Sequence, residues 1–327
     1  MEKLKIAITQ GNYNGTSYEL ILRACEDPAM FELCTPVVYG SAKYALTFRK
    51  ALELNTNFVN IKLADDAQDG RLSIINAAEG SAEVEMGVNT ADALQQEETS
   101  LTAAKRDLDE GNVDALVLAP TIEPTKCPDD ATEIIVTEKA LFIPLAKEPA
   151  AEDIVRLRDI LERDFDIRSP RIAIVQESNI QIPDFASQVT AEQGINTYGP
   201  YTKEQILAED MACIFDGIIV SDGKTMMQQI IAALPEEAPV RYFAGRDSVV
   251  TAVYRPANMN EAGKGTALVS ELTHPIYTAI DIVRNRAFYD EARQDVLPKL
   301  FRDKREDRKQ SEASQANTNN DNTEKAS

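Results

Sequence analysis

Short apolar runs alternate with longer segments of helical period along most of the chain. The stretches "KIAITQ" (5–10), "TPVVYG" (35–40), "DALVLAP" (114–120), "RIAIVQ" (171–176), "GIIVS" (217–221), "VRYFA" (240–244) and "VTAVYRP" (250–256) have the length and the Val/Ile content of buried strands. Between them, "SYELILRACED" (17–27), "SAKYALTFRKALEL" (41–54), "NTADALQQEETSLTAAKRDLDEG" (89–111), "AEDIVRLRDILERDF" (151–165), "TKEQILAED" (202–210), "GKTMMQQIIAAL" (223–234) and "IYTAIDIVRNRAFYDEAR" (276–293) fit helices. Over 151–165, Ile154, Leu157, Ile160 and Leu161 share one face, with Glu and Arg opposite. Gly111 stands where a helix ends in a left-handed residue, just before the next strand. This alternation predicts an α/β fold on a mainly parallel sheet covered by helices.

Two stretches break the rhythm. Residues 121–150 carry several prolines and the acidic cluster "CPDDATE", which predicts a crossover between two lobes. The first lobe would comprise residues 1–125 with about 255–303, and the second about 126–254. Residues 304–327 are polar, rich in Asn, Ser, Lys and Glu, and too poor in apolar side chains to offset the entropy of ordering, so a disordered tail is expected there.

A length of 327 residues suits two packed lobes, since single cores stop growing at roughly 250–300 residues. No apolar run approaches the roughly 20 residues that cross a bilayer, and "MEKLKIAITQ" enters a strand-like run without a signal-peptide pattern. These features predict a cytoplasmic protein without a membrane partner. A net charge of −20 repels phosphate backbones and argues against nucleic acid. Cys25, Cys34, Cys127 and Cys213 lie far apart with no C-x-x-C pair, as expected of reduced small hydrophobes.

Candidate chemistry begins with "ITQGNYNGTSYELI" (8–21), a turn between strand and helix containing Gly11 and Gly15. Such a loop can present backbone N–H groups to a phosphate at a helix N-terminus. It is also what a tight turn with positive φ requires, and it has neither G-x-G-x-x-G spacing nor a basic residue. "SDGKT" (221–225) lacks Walker A spacing, and Ser221, Asp222 and Gly223 read as a strand-to-helix turn with an N-cap. His274 is the single histidine, which excludes sites built from several imidazoles within one chain. Asp129 and Asp130 could offer oxygen ligands to Mg²⁺, but in so acidic a chain they read as a solvated face.

Several segments, in order, resemble 4-hydroxythreonine-4-phosphate dehydrogenase, the PdxA family of vitamin B6 biosynthesis. "IAITQGNYNGTSYELILRA" is similar to that family's opening "ITMGDPAGIGPEI". "VVYGS" (38–42), "GNVDALVLAPTIEP" (111–124), "LRDILERDFDIRSPRIAIV" (157–175), "INTYGPYTKEQIL" (195–207), "FDGIIVSD" (215–222) and "YTAIDIV" (277–283) resemble later blocks. The resemblance implies a two-lobed α/β/α fold like isocitrate and isopropylmalate dehydrogenases, and a homodimer with its site between lobes and subunits. It also implies NAD as cofactor, a divalent metal held by three histidines, and a small phosphorylated or nucleotide ligand.

Residue by residue, the implied chemistry is largely missing. The family's T-H-x-P-L falls on "LFIPL", with Phe142 at the metal histidine. N-P-H-A-G-E falls on "NIQIPD", keeping Asn179 but placing Gln181 at the histidine, and Y-H-D-Q-G falls on "DGKTM", with Gly223 there. An apolar ring, a neutral amide and a glycine cannot replace three imidazoles, so no metal is expected. On the substrate side G-H-T-E becomes "DATE", which retains Thr132 and Glu133. A-P-x-N-K becomes "APTIE", with Glu123 at the lysine, and His274 stands two residues early against D-H-G-T-A when Thr278 and Ala279 are aligned. Gly11 and Gly15 keep the places of the opening loop's first two glycines. The residues therefore support a catalytically degenerate relative, with an active NAD-dependent enzyme using an altered site, or a non-enzymatic interaction scaffold, as alternatives.

Overall fold

β-Branched side chains fit a pleated surface buried on both faces, and the apolar runs of this chain become central strands for that reason. The computed structural model describes residues 3–77, 83–145, 149–176, 194–221, 223–234 and 238–294. Its strands are β1 (Leu4–Thr9), β2 (Cys34–Gly40), β3 (Phe58–Ile61), β4 (Leu72–Asn76), β5 (Ala115–Leu118), β6 (Thr132–Val136), β7 (Leu141–Pro144), β8 (Arg171–Val175), β9 (Asn196–Tyr201), β10 (Gly217–Val220), β11 (Val240–Ala244) and β12 (Val249–Val253). They form one 12-stranded sheet in the order β3-β4-β2-β1-β5-β12-β11-β6-β7-β10-β8-β9. Residues Met1–Val283 form one compact unit, which holds the whole sheet.

Two parallel wings meet at an antiparallel centre. From β3 to β12 every pairing is parallel, with Ile8 opposite Val38 on β2 and opposite Val117 on β5. β11 then runs antiparallel to both β12 and β6, and β6 antiparallel to β7. Beyond it, β7, β10, β8 and β9 are parallel again.

Alternation along each strand divides the core between the two faces. Ile6 and Ile8 of β1, Ala115 and Val117 of β5, and Ile172 and Ile174 of β8 belong to one continuous cluster. The helices supplying that face include α1 (Ser17–Ala24), α3 (Ala42–Ala51), α5 (Ala151–Phe165) and α8 (Ser270–Gln294). On the other face, Ala7, Leu116 and Leu118 pack under α4 (Ala91–Asp109). Further along the same sheet, Val175, Ile218 and Val220 pack under α6 (Lys203–Leu207) and α7 (Gly223–Ala233). A short helix, α2 (Pro28–Leu33), precedes β2. The architecture is thus α/β with helices on both faces of a large sheet.

The α5 face foreseen from its periodicity is buried, with Ile154 and Leu157 fully enclosed. Its first turn is closed by the Ala150 N–H donating to Asp153 Oδ2 at 2.9 Å. Residues 121–150, expected as a crossover, contain the β6–β7 hairpin: Pro124 and Pro128 precede it and Pro144 is its last residue, so the prolines bracket the strands rather than interrupt them. α8 begins at Ser270, ahead of Pro275, and not at residue 276. The expected tail, 304–327, lies outside the described residues.

Candidate functional site

The opening loop keeps a glycine turn but is closed by its own side chains. Gly11 has φ +59, the left-handed conformation glycine adopts without steric cost. The Asn12 N–H donates to Pro120 O at 2.9 Å, the Asn14 N–H to Asn12 Oδ1 at 3.1 Å, and the Gly15 N–H to Asn12 O at 3.1 Å. Gln10, Asn12, Asn14, Thr16 and Ser17 are at most 2% exposed. Segment 85–97 lies over the loop: Asn14 Oδ1 accepts from the Glu85 N–H, Tyr13 Oη donates to Asp92 at 2.7 Å, and the Asn12 amide donates to Glu97 at 2.6 Å. Three of the loop's backbone N–H groups, those of Asn12, Asn14 and Gly15, are thus spent inside the protein.

Two titrating groups where the loop meets segment 85–97 are shifted. Burial raises the Glu97 carboxyl to about 7, opposed by the hydrogen bond from Asn12. Burial, reinforced by the bond to Asp92, pushes the Tyr13 phenol well above its ordinary range. Tyr13 stacks on Tyr44 with ring centroids 4.1 Å apart. Glu19 anchors the far side of α1, accepting from the Ala267 N–H at 2.9 Å and the Gly265 N–H at 3.3 Å.

A cleft of about 690 Å³ opens where the antiparallel centre of the sheet meets α7. Glu133 of β6 and Arg241 of β11 project from neighbouring strands into it, while Tyr254 and Arg255, just beyond β12, line the same space. Arg241 donates through Nε to Glu133 Oε1 at 2.6 Å and through an Nη to Thr125 O at 2.7 Å. Arg255 has a half-exposed side chain and pairs with Glu271 at 3.0 Å. Burial raises the Tyr254 phenol, with the Glu133 charge adding and Arg241 opposing. Burial likewise raises Glu271, opposed by Arg255. Apolar walls from Ile135, Met227 and Ile231 complete the cleft.

The residues singled out from the sequence separate. Glu133 reaches the cleft, whereas Thr132 opens onto a neighbouring depression beside α5. Gly11 and Gly15 lie next door, where a Cβ on Gly15 would come within 3.1 Å of the Ala257 Cβ, one residue from the cleft's Pro256. His274 faces Ala238 O through Nδ1 at 3.0 Å and is not among the cleft's lining residues. Phe142 is 0% exposed and packs with Ile135, Ile218 and Val220. Gly223 begins α7 and offers no donor atom from a side chain. Asn179 and Gln181 lie outside the described residues. Arg241, Tyr254 and Arg255 carry the cleft but were not singled out in the sequence; the available signal was a charged residue inside the apolar strand "VRYFA".

Of the three positions that the resemblance assigns to a divalent metal, the two within the described residues, Phe142 and Gly223, do not fit one. Phe142 points its ring into a packed core and Gly223 has no side chain, and among the described residues no group of three or more His, Cys, Asp or Glu could hold a metal ion. No described helix is long and apolar enough to cross a membrane.

No family model matches the chain. It is 31% identical over 353 aligned positions to the 4-hydroxythreonine-4-phosphate dehydrogenase of Bacteroides thetaiotaomicron, an alignment covering 93% of this chain and 96% of the relative. Among solved structures, a 4-hydroxythreonine-4-phosphate dehydrogenase from Burkholderia phymatum superposes with a TM-score of 0.63 at 18% identity, covering 86% of this chain and 99% of the other. The corresponding protein from Klebsiella pneumoniae gives 0.64 at 18% identity, covering 86% and 98%.

Proposed function

Because the chain belongs to the 4-hydroxythreonine-4-phosphate dehydrogenase family, we propose that it keeps the family's fold and an anion-binding cleft while having lost the metal-dependent oxidation. It acts as a homodimeric binding protein for a small phosphorylated ligand held between Arg241 and Arg255. The observation that carries this reading is Phe142, 0% exposed at the position where the family's motif supplies a metal histidine. A site without that ligand cannot polarise the substrate hydroxyl as a Lewis acid does.

The cleft supports the ligand class. Arg241 is fixed by Glu133 and Thr125, so its fork is preorganised, and Arg255 stands at the mouth with a half-exposed side chain. An active enzyme with an altered site is the second reading, favoured by 31% identity to a protein named as the dehydrogenase.

An assay with 4-phosphohydroxy-L-threonine, NAD and added Mg²⁺ or Zn²⁺ decides between them. The expected result is no turnover above a blank, together with saturable binding of the phosphorylated amino acid that Arg241→Ala and Arg255→Ala both weaken. Turnover would overturn the degenerate reading. A rise in Tm with NAD alone would show that a nucleotide still binds, and size-exclusion chromatography with light scattering tests the dimer.

A further inference from the structure

A second, smaller crevice of about 70 Å³ lies on the α4 face of the sheet. Its floor is apolar, formed by Leu101 and Leu108 of α4, Leu116 and Leu118 of β5, Phe243 of β11 and Val250 of β12. Three cations, Lys105, Lys126 and Arg246, line it, in a chain whose net charge is −20. Two carboxylates offset them: Asp109 also lines the crevice, and the exposed Asp130 pairs with Arg246 at 3.2 Å. Among these five side chains one positive charge remains in surplus, which matches a monoanion. The volume is about half that of the apolar cavities of ~150 Å³ that hold a six-membered ring, so it suits a tail of about three or four carbons.

The crevice shares a wall with the cleft. Thr125 lines the crevice with its neighbour Lys126, while the Thr125 carbonyl accepts from Arg241 and Pro124 faces the cleft. The Arg241 guanidinium also lies 5.1 Å from the centroid of Phe243, part of the crevice floor. We propose that the crevice under Lys105, Lys126 and Arg246 is a separate binding site for a short-chain aliphatic carboxylate, whose occupancy is felt at Arg241 through Thr125. The tail replaces water on the apolar floor, and the carboxylate takes the surplus cation. This site stands on its own lining residues and does not depend on what the cleft binds.

Titration of the full-length protein with isobutyrate, followed by amide chemical shifts, tests the proposal. Saturable shifts are expected at Leu118, Thr125, Phe243 and Arg241. The neutral isobutyramide should bind about tenfold more weakly, as loss of a charge-assisted contact implies, and the tail-less formate about fifty-fold more weakly, as loss of three buried carbons implies. Lys126→Gln, an exposed change that leaves the floor intact, should weaken isobutyrate about tenfold, and Val250→Phe should abolish binding by filling the crevice. Should Val250→Phe fail to fold, Lys126→Gln and the neutral ligand still decide. The proposal is overturned if isobutyrate produces no saturable shifts at these residues, if isobutyramide or formate binds as tightly, or if Lys126→Gln binds isobutyrate unchanged.

Discussion

Arg241 Nε donates to Glu133 Oε1 at 2.6 Å across two antiparallel strands, with side-chain exposures of 7% and 14%. A pair so enclosed is held by mutual compensation: each charge would be costly alone, and the bond to Thr125 O satisfies a further guanidinium donor. Glu133→Ala should therefore destabilise by roughly 3 kcal/mol, because it strands a buried guanidinium. The Glu133→Leu/Arg241→Met double variant should recover much of that loss. Urea unfolding of the two proteins checks it, and a single variant as stable as the double would contradict this account of the pair.

The opening glycine and the helix-ending glycine should respond differently to the same substitution. Gly11 and Gly111 both have positive φ, +59 and +75. A Cβ on Gly11 would also run into the Pro120 carbonyl, whereas nothing lies within 4 Å of the corresponding point on Gly111. Gly111→Ala should cost about 1 kcal/mol, the backbone term alone. Gly11→Ala should cost more than about 2 kcal/mol, since strain and collision add. Equal midpoints in urea for the two variants would show that the loop yields more readily than its packing implies.

Legibility in the sequence followed burial. The strands rich in Val and Ile at the middle of each wing, such as β1, β2, β8 and β10, are enclosed on both faces and read directly from composition. β3 and β9 are the edge strands; β9, "NTYGPY", carries a Gly-Pro and no fully buried position, so no apolar run announced it. β6 and β7 were hidden by flanking prolines and acids. The start of α8 is masked in the sequence by Pro275, a residue that usually bars a helix interior, yet here it sits early in a long helix with its carbonyl accepting from Thr251 Oγ1 at 2.9 Å. The cleft was half legible: Glu133 followed from a family motif, while Arg241 on β11 and Arg255 just beyond β12 reach the same cleft only because the sheet order sets that hairpin beside β6.

Placing a histidine at Phe142, where the resemblance puts a metal ligand, should not create a metal site. Phe142→His would bury an imidazole among the apolar side chains of Ile135, Ile218 and Val220, which offer it no hydrogen-bond partner. We expect a loss of roughly 3 kcal/mol against about 1 kcal/mol for Phe142→Leu, with no gain in Zn²⁺ affinity by calorimetry. Stabilisation of Phe142→His by Zn²⁺, absent in the parent, would show that the surrounding side chains can still converge on an ion.

Stability should fall as pH rises through the titration of Glu97, and one substitution should remove that dependence. Burial holds this carboxyl at about 7, above its ordinary range near 4.5. Between those values the unfolded chain has released the proton while the folded protein keeps it. The unfolded state then binds fewer protons, so the unfolding free energy declines with pH across that window. Below it both states are protonated and the contribution is complete; above about 7 both are ionised and the loss is complete. Glu97 is only partly enclosed, so solvent screening limits the effect to about 1 kcal/mol. Glu97→Gln keeps an acceptor for the Asn12 amide, 2.6 Å away in the parent, without a titrating proton. The variant should match the parent near pH 5 and exceed it near pH 8, as read from urea midpoints at each pH. A parent whose midpoint rises from pH 5 to 8 relative to the variant would place the carboxyl below, not above, its ordinary range.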